Sequence, residues 1–290
     1  MNSIKVIVFG GSGMLGKALV PYLSSEKYVV IQAGRSMDMD IVLDVQDNAK
    51  VTAILNAIKP DVVINLIAST DVDWCEMHLA SAMQTNALIP AGISKAIDNC
   101  INPSIHFVHI STDQVYSGTG GHVEEHVCPV NVYGLTKLTG ELMIECANYS
   151  ILRTNFFGKN LREGKASLSD WIYSSINSLE PITLFNDVVF NAVFIGTLCS
   201  YINLFIQRKI YGTFNVGSRN GISKADFAFA FSSRLGKQIT NVAVRNFSSD
   251  LLIAKRPLNM ATNVKKFETA GNLVCPDIMD EIRLLSLQYS

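Results

Sequence analysis

The chain lacks the basic excess of a nucleic-acid binder. Its 24 Lys and Arg stand against 25 Asp and Glu, a net charge of −1, too little positive potential to hold a phosphate backbone. Charged residues are sparse, at 17 %, yet no apolar run reaches the roughly 18 to 20 residues of a bilayer-spanning helix, so no membrane association is expected. Met1-Asn2-Ser3-Ile4 runs straight into a strand pattern without a secretory signature, and a soluble, cytoplasmic protein is expected. The six cysteines, Cys75, Cys100, Cys128, Cys146, Cys199 and Cys275, lack the short paired spacing of a zinc site or redox motif. They read as reduced and mostly structural, with Cys128 packing a loop or lining a cleft. His106, His109, His122 and His126 supply no helical ligand pair, and no metal is expected. Repeats and low-complexity segments are absent. The 290 residues leave room for one sizeable core and a smaller appended lobe.

What is present is alternation. Strand patterns at Ile4 to Phe9, Tyr28 to Gln32, Asp61 to Leu66, Ser104 to Ile110 and Tyr149 to Leu152 alternate with helical patterns at Leu15 to Leu23, Asn48 to Ile58, Cys75 to Asn99 and Val132 to Cys146. Such a sequence specifies an α/β fold, a Rossmann-type, doubly wound parallel sheet covered on both faces. After Arg153 the rhythm breaks. Asn160 to Ser169 reads as a loop, and Asp226 to Leu235 and Ile278 to Leu287 as shorter helices of a second, substrate-binding lobe. The expected division is 1–154 for a dinucleotide and 155–290 for substrate, part of the latter returning to the first unit near 186–210. Phe227, Phe229 and Phe231 alternate like a strand, yet Ser223-Lys224-Ala225-Asp226 looks like a helix start, which leaves them as packing residues.

Three motifs carry chemistry. Gly10, Gly11, Gly13 and Gly16 follow the first strand and open a helix, where backbone N–H groups can meet a pyrophosphate; without that flanking pattern they would be only a glycine-rich turn. Tyr133 and Lys137, four residues apart, share a helix face, so an ammonium beside the phenol would make it easier to ionise and give a proton donor for a carbonyl. Thr112 ends a buried strand, where a hydroxyl can bond the same carbonyl oxygen. The second strand pattern runs into Ala33-Gly34-Arg35-Ser36, without the acidic residue that would hold a ribose 2′-OH. Arg35 suits a 2′-phosphate, or is a solvated surface arginine.

The set resembles an extended short-chain dehydrogenase/reductase, and more narrowly the dTDP-4-dehydrorhamnose reductase family. The resemblance runs through Gly10 to Gly16; Asn65 and Ala68; Thr70-Asp71-Val72-Asp73 and Glu76; Ser111-Thr112-Asp113; Pro129 through Tyr133, Lys137, Gly140 and Glu141; Leu152-Arg153-Thr154; and Arg256-Pro257-Leu258-Asn259. It implies NADPH-dependent reduction of a nucleotide-linked 4-keto-6-deoxy sugar in deoxysugar and lipopolysaccharide biosynthesis, with NADH as the other possible carrier and a homodimer as the possible assembly. By the same resemblance Gly10, Ser12, Gly13, Met14 and Leu15 would hold the pyrophosphate, and Asp44 and Val45 would lie by the adenine. Leu66, Ile67 and Ala68 would line the cofactor trough, with Asn86 supporting the adjoining backbone. Thr112, Tyr133 and Lys137 would be catalytic, Lys137 also binding the nicotinamide ribose. Asp113, Asn155 and Arg256 would lie near the nucleotide sugar.

The departures fall mainly on the substrate side: Asn155-Phe156-Phe157 where a tryptophan-bearing segment is common, Ser69 in place of an aromatic, and Phe190-Asn191-Ala192-Val193 where the family has a glycine-proline. Dehydratases of nucleotide sugars resemble Ser-Thr-Asp-Glu at the fourth site, whereas Gln114 cannot exchange a proton. A nucleotide-sugar epimerase and a non-catalytic NADP-binding protein, similar to the regulatory subunits of methionine adenosyltransferase, stand as the alternatives.

Overall fold

Lys5–Phe9 (β1) is buried at every position after Lys5, as a strand covered on both faces must be. Val6 and Val8 point into one apolar cluster and Ile7 and Phe9 into another, the period-two alternation of a pleated strand. In the computed structural model, which describes residues 3–176, 178, 181–248 and 252–290, β1 lies between Val29–Gly34 (β2) and Val62–Asn65 (β4), parallel to both. The sheet continues through Ile41–Val42 (β3) beyond β2, and through His106–Thr112 (β5), Tyr149–Thr154 (β6) and the edge strand Gly212–Val216 beyond β4. All seven strands run parallel. The order β3-β2-β1-β4-β5-β6 is that of a dinucleotide-binding sheet, whose topological switch point lies between β1 and β4.

Helices cover both faces. Met14–Ser25 (α1) and the later helix Ile195–Arg208 bury Leu19, Leu23, Leu198 and Phe205 with Val6 and Val8. Asn48–Ile58 (α2) and Ile89–Asp98 (α5, the fifth helix) bury Val51, Leu55, Ile93 and Ile97 on the other face. A third cluster gathers Phe157, Ile172, Leu184, Phe190 and Ile282 around Phe227 and Phe231. Those two phenylalanines belong to the helix Lys224–Arg234, capped by Ser223, and Phe229 faces outward. The helical period therefore overrides the apparent alternation of these aromatics. Among the described residues no helix is long and apolar enough to cross a membrane. Five cysteines are buried, but Cys128 is exposed, contrary to the packing expected of it.

The single helix expected over Cys75 to Asn99 is broken. It becomes Val72–Met77 (α3), Leu79–Met83 (α4), a π-helical turn Gln84–Leu88 and α5. His78 leaves helical geometry at φ −131, ψ 54, and Pro90 has no N–H for the Asn86 carbonyl and a ring that would clash with it. The freed carbonyl faces Gly140 in Val132–Leu142 (α6), where an added Cβ would stand 2.2 Å from it. The π turn and α6 thus meet backbone to backbone.

A buried ion pair fixes the other side of α6. Arg153 on β6 donates from Nε and Nη2 to Glu141 Oε2 at 2.9 and 2.6 Å. Its Nη1 donates to Tyr116 Oη and the Glu124 carbonyl, while Ser111 on β5 donates to Glu141 Oε1. Removing one member leaves the other charged and unpaired in the interior, so Arg153→Met is expected to lower stability by about 3–5 kcal/mol. Adding Glu141→Leu should recover most of that loss, because the orphaned carboxylate goes with it. Chemical denaturation of the wild type and the two variants checks both statements.

Candidate active site

At the carboxyl edge of the sheet a cleft of about 560 Å³ runs from Gly10, Gly13, Met14 and Leu15 past Leu66 and Ala68 to Thr112, Asp113, Tyr133, Lys137 and Asn155. Its floor is the switch point. Gly10 has φ +88, and a side chain there would meet the Leu66–Ile67 backbone at 3.0 Å, so only glycine lets the β1 and β4 turns approach this closely. Gly13 caps α1 without a side-chain hydrogen bond, and the first turn of α1 holds no acidic residue. Its N–H groups and partial positive charge face an anion without competition, which fits a dinucleotide pyrophosphate.

The reactive side of the cleft is assembled from β5 and α6. Thr112 ends β5; its hydroxyl accepts from Gln114 N at 3.1 Å and donates to Asp113 Oδ1 at 3.3 Å, and it is near enough to act on the Tyr133 phenol. Tyr133 and Lys137 lie one turn apart on α6, which Asn131 starts by accepting from Gly134 N. Asn131 also donates to Gln114 Oε1 at 3.2 Å, so the glutamine serves the helix start. Glu76 accepts from Val132 N and ties α3 to the same point.

Burial sets the electrostatics. It pushes the Tyr133 phenol up to about 12, an effect that the nearby Thr112 hydroxyl only partly opposes. The expected lowering by Lys137 is therefore not what this geometry gives. Lys137 Nζ is turned to the Ile110 carbonyl at 2.7 Å and to His109 Nε2 at 3.3 Å, and burial brings it down to about 8. Asp113 is raised by burial to about 6, although Asn155 donates to its Oδ2 at 2.8 Å. All three groups are driven toward their neutral forms, and the phenol holds its proton until a partner oxygen takes it.

The other anticipated residues lie around this centre. Asn86, in the π turn, accepts from Ser69 N, donates to the Ser69 carbonyl and bonds Thr136 on α6. Ile67 donates its N–H to Asn65, and Val45 is packed in the core beside the exposed Asp44. Arg35 is exposed just beyond β2, with no ion pair among the described residues. Ser12 belongs to the glycine turn without lining the cleft, and neither Arg35 nor Arg256 lines it. Arg256 pairs instead with Asp73 at 3.1 Å.

Residues outside the motifs also appear. Lys224 is held low by burial and by the Arg256 charge, with Asp113 acting in the opposite sense. Nothing in its sequence neighbourhood marks it. Arg162, Lys165 and Ser167 line the cleft from the segment expected to be a loop. That segment turns helical at Leu168 through a reciprocal cap in which Asp170 N donates to Ser167 Oγ and Ser167 N to Asp170 Oδ2. Ser167-Leu168-Ser169-Asp170 was the readable signal. Among the described residues no group of three or more metal-binding side chains gathers.

Known proteins resemble this chain. The chain is 28 % identical over 297 residues to a probable low-salt glycan biosynthesis reductase of Haloferax volcanii, covering 98 % of this chain and 97 % of that one. It is 26 % identical over 294 residues to a dTDP-4-dehydrorhamnose reductase of Escherichia coli, covering 94 % of each. The crystal structure of the dTDP-4-dehydrorhamnose reductase of Bacillus anthracis in complex with NADP superposes with a TM-score of 0.88 at 24 % identity over 99 % of both chains, which establishes the shared fold. The family model for the RmlD substrate binding domain matches residues 4–288, nearly the whole chain, and the protein belongs to that family.

Proposed function

We propose that the protein is an NADPH-dependent reductase of a nucleotide-linked 4-keto-6-deoxy sugar, acting in deoxysugar and polysaccharide biosynthesis. The observation that carries this reading is the convergence of Thr112, Tyr133 and Lys137 on a cleft whose other end is an uncapped helix start at a parallel-sheet switch point. Residues 1–154 hold the dinucleotide and 155–290 mainly the sugar, with part of the second segment near 186–210 returning to the first. The dinucleotide, when bound, supplies the hydride. Tyr133 gives its proton to the ketone oxygen, Thr112 orients that oxygen, and Lys137 holds the nicotinamide ribose. Asp113 and Asn155 face the nucleotide sugar from the cleft, and Arg256 and Lys224 lie behind them as the charged residues of the substrate side. Gln114 supplies no acid for dehydration, so the keto sugar comes from a separate dehydratase. NADPH oxidation measured across dTDP-, CDP-, GDP- and UDP-linked 4-keto sugars tests the reading; no reduction of any would favour the non-catalytic, cofactor-binding alternative.

Tyr133→Phe deletes only the hydroxyl, and should lower turnover by about 10²–10⁴, the range of general acid catalysis, while leaving NADPH binding intact. Stopped-flow NADPH oxidation and a binding titration separate the two effects. Arg35→Ala should weaken NADPH by about 10- to 100-fold, since a charge-assisted bond to the 2′-phosphate is lost, and leave NADH nearly unchanged. Equal loss for both cofactors would remove Arg35 from the site.

Asp113 gives a pH signature. Its folded-state value near 6 lies above the ordinary carboxylate range, so the fold prefers the protonated acid. The stability this contributes is complete below the unfolded value and is lost as pH rises through about 6. Asp113→Asn is therefore expected to be more stable than the wild type at neutral pH, on the order of 2 kcal/mol, with the advantage vanishing toward pH 4. Thermal melts of both proteins across this range decide it.

A further inference from the structure

The dinucleotide's diphosphate has the open start of α1, but a nucleotide sugar brings a second diphosphate to the other end of the cleft. That end is built by the segment after β6, three strand positions from β1 and so about 14 Å away at the usual strand spacing. The helix that starts there, Leu168–Ile176, is already filled at its amino end. Asp170 Oδ2 accepts from Asn160 N, Ser167 N and Ser167 Oγ at 3.0, 2.9 and 2.8 Å, and Oδ1 accepts from the Tyr289 hydroxyl. With its own carboxylate in the first turn, this start repels an anion where that of α1 attracts one. A second diphosphate must therefore be held by side chains.

Among the described residues four charged side chains line the cleft: Asp113, Lys137, Arg162 and Lys165. The first two are engaged at the reactive centre, Asp113 by Thr112 and Asn155 and Lys137 by the Ile110 carbonyl. Arg256 is not among the lining residues and pairs with Asp73. Arg162 and Lys165 are exposed and enter no ion pair among the described residues. They also come as a unit. Lys165 N donates to the Arg162 carbonyl at 3.4 Å, closing a four-residue turn whose third member is Gly164 at φ +66, the positive angle that type II and type I′ turns demand at that position. Such a turn brings its first and last Cα atoms within about 7 Å of each other. Arg162 N donates to Asn160 Oδ1 at 3.0 Å and Lys159 N to Gln288 Oε1 at 2.8 Å, while Ser167 and Ser169 donate to the Gly158 carbonyl. The loop that carries the two cations is thereby anchored at both ends. Glu163, between them in the chain, is not among the residues that line the cleft.

We propose that Arg162 and Lys165 together hold the diphosphate of the nucleotide-sugar substrate. The assignment rests on the reading of the cleft as a reductive site for such a sugar. A diphosphate that bridges a nucleoside and a sugar carries two negative charges, which the two cations match. The guanidinium fork can take two oxygens of one phosphate, and the lysine ammonium serves the other as a compact charge.

The test measures binding without turnover, on full-length protein saturated with NADPH so that the cofactor's own diphosphate site is filled. Calorimetric titration with dTDP, UDP, CDP and GDP identifies the nucleotide that the wild type binds most tightly, and that nucleotide is carried to the variants. Arg162→Gln and Lys165→Gln, both at exposed positions, should each raise its dissociation constant by about tenfold or more, the loss of one charge-assisted hydrogen bond. NADPH affinity, titrated separately, should stay at the wild-type value. Lys159→Gln removes the same charge from the same segment at a residue that is not among those lining the cleft, and should change nucleotide binding by less than about twofold, since such a charge is screened by salt. Unchanged binding in either cleft variant overturns the proposal, and so does an equal loss in Lys159→Gln, which would reduce the effect to a general field. A loss of NADPH affinity in the cleft variants assigns the two cations to the cofactor and overturns it as well. If none of the four diphosphates binds the wild type, the nucleotide-sugar reading and the proposal fall together. If the variants weaken binding as stated but no keto sugar is reduced, the reductase reading falls and the diphosphate site stands.

Discussion

Taking a guanidinium and a carboxylate out of water costs several kcal/mol per ion, and the cost is offset only where geometry is good and every remaining lone pair and proton is used. Arg153 and Glu141 meet that condition. The arginine bonds one carboxylate oxygen from two nitrogens and spends a third on Tyr116 and the Glu124 carbonyl, while Ser111 occupies the other oxygen. Tyr116 passes the constraint to Asn215 on the edge strand, and Asn215 N returns it to Glu124. One network therefore ties β5, β6, the edge strand and α6 together. The helix that carries Tyr133 and Lys137 has little freedom to slide over the sheet, and the distance from phenol to Thr112 inherits that rigidity.

The same burial that makes this network necessary governs the chemistry of the cleft. Tyr133, Lys137 and Asp113 are each pushed toward their uncharged forms. At the other end of the cleft an anion arriving at the helix start of α1 meets the partial positive charge of its N–H groups. The phenol is kept as an acid by its surroundings, and its release of a proton depends on what approaches it.

Much of this was legible in the sequence because strands buried on both faces must be nearly continuous in apolar residues, and a glycine turn between strand and helix has few other uses. The order of Thr112, Tyr133 and Lys137 placed three side chains that the fold brings to one cleft. What could not be read depends on contacts between distant segments. The π turn before Pro90 lies where α6 approaches the Asn86 carbonyl at Gly140, a contact invisible to helical periodicity. Lys224 is a surface residue by type and a half-buried one by packing. The rise in the Tyr133 phenol reflects enclosure, whereas the spacing of a tyrosine and a lysine suggested only their mutual attraction.

Gln114 shows how little separates neighbouring chemistries on this scaffold. Its side-chain oxygen accepts from Asn131, the residue that starts α6, and a glutamate at that position would present the same acceptor to the same donor. The helix start therefore places no demand on whether residue 114 can ionise. An ancestral chain could cross between a side chain that exchanges protons and one that does not by a single codon change, with the architecture that aims Tyr133 and Lys137 left standing. Divergence of function at this corner is governed by the substrate's chemistry, and the fold is indifferent to the outcome.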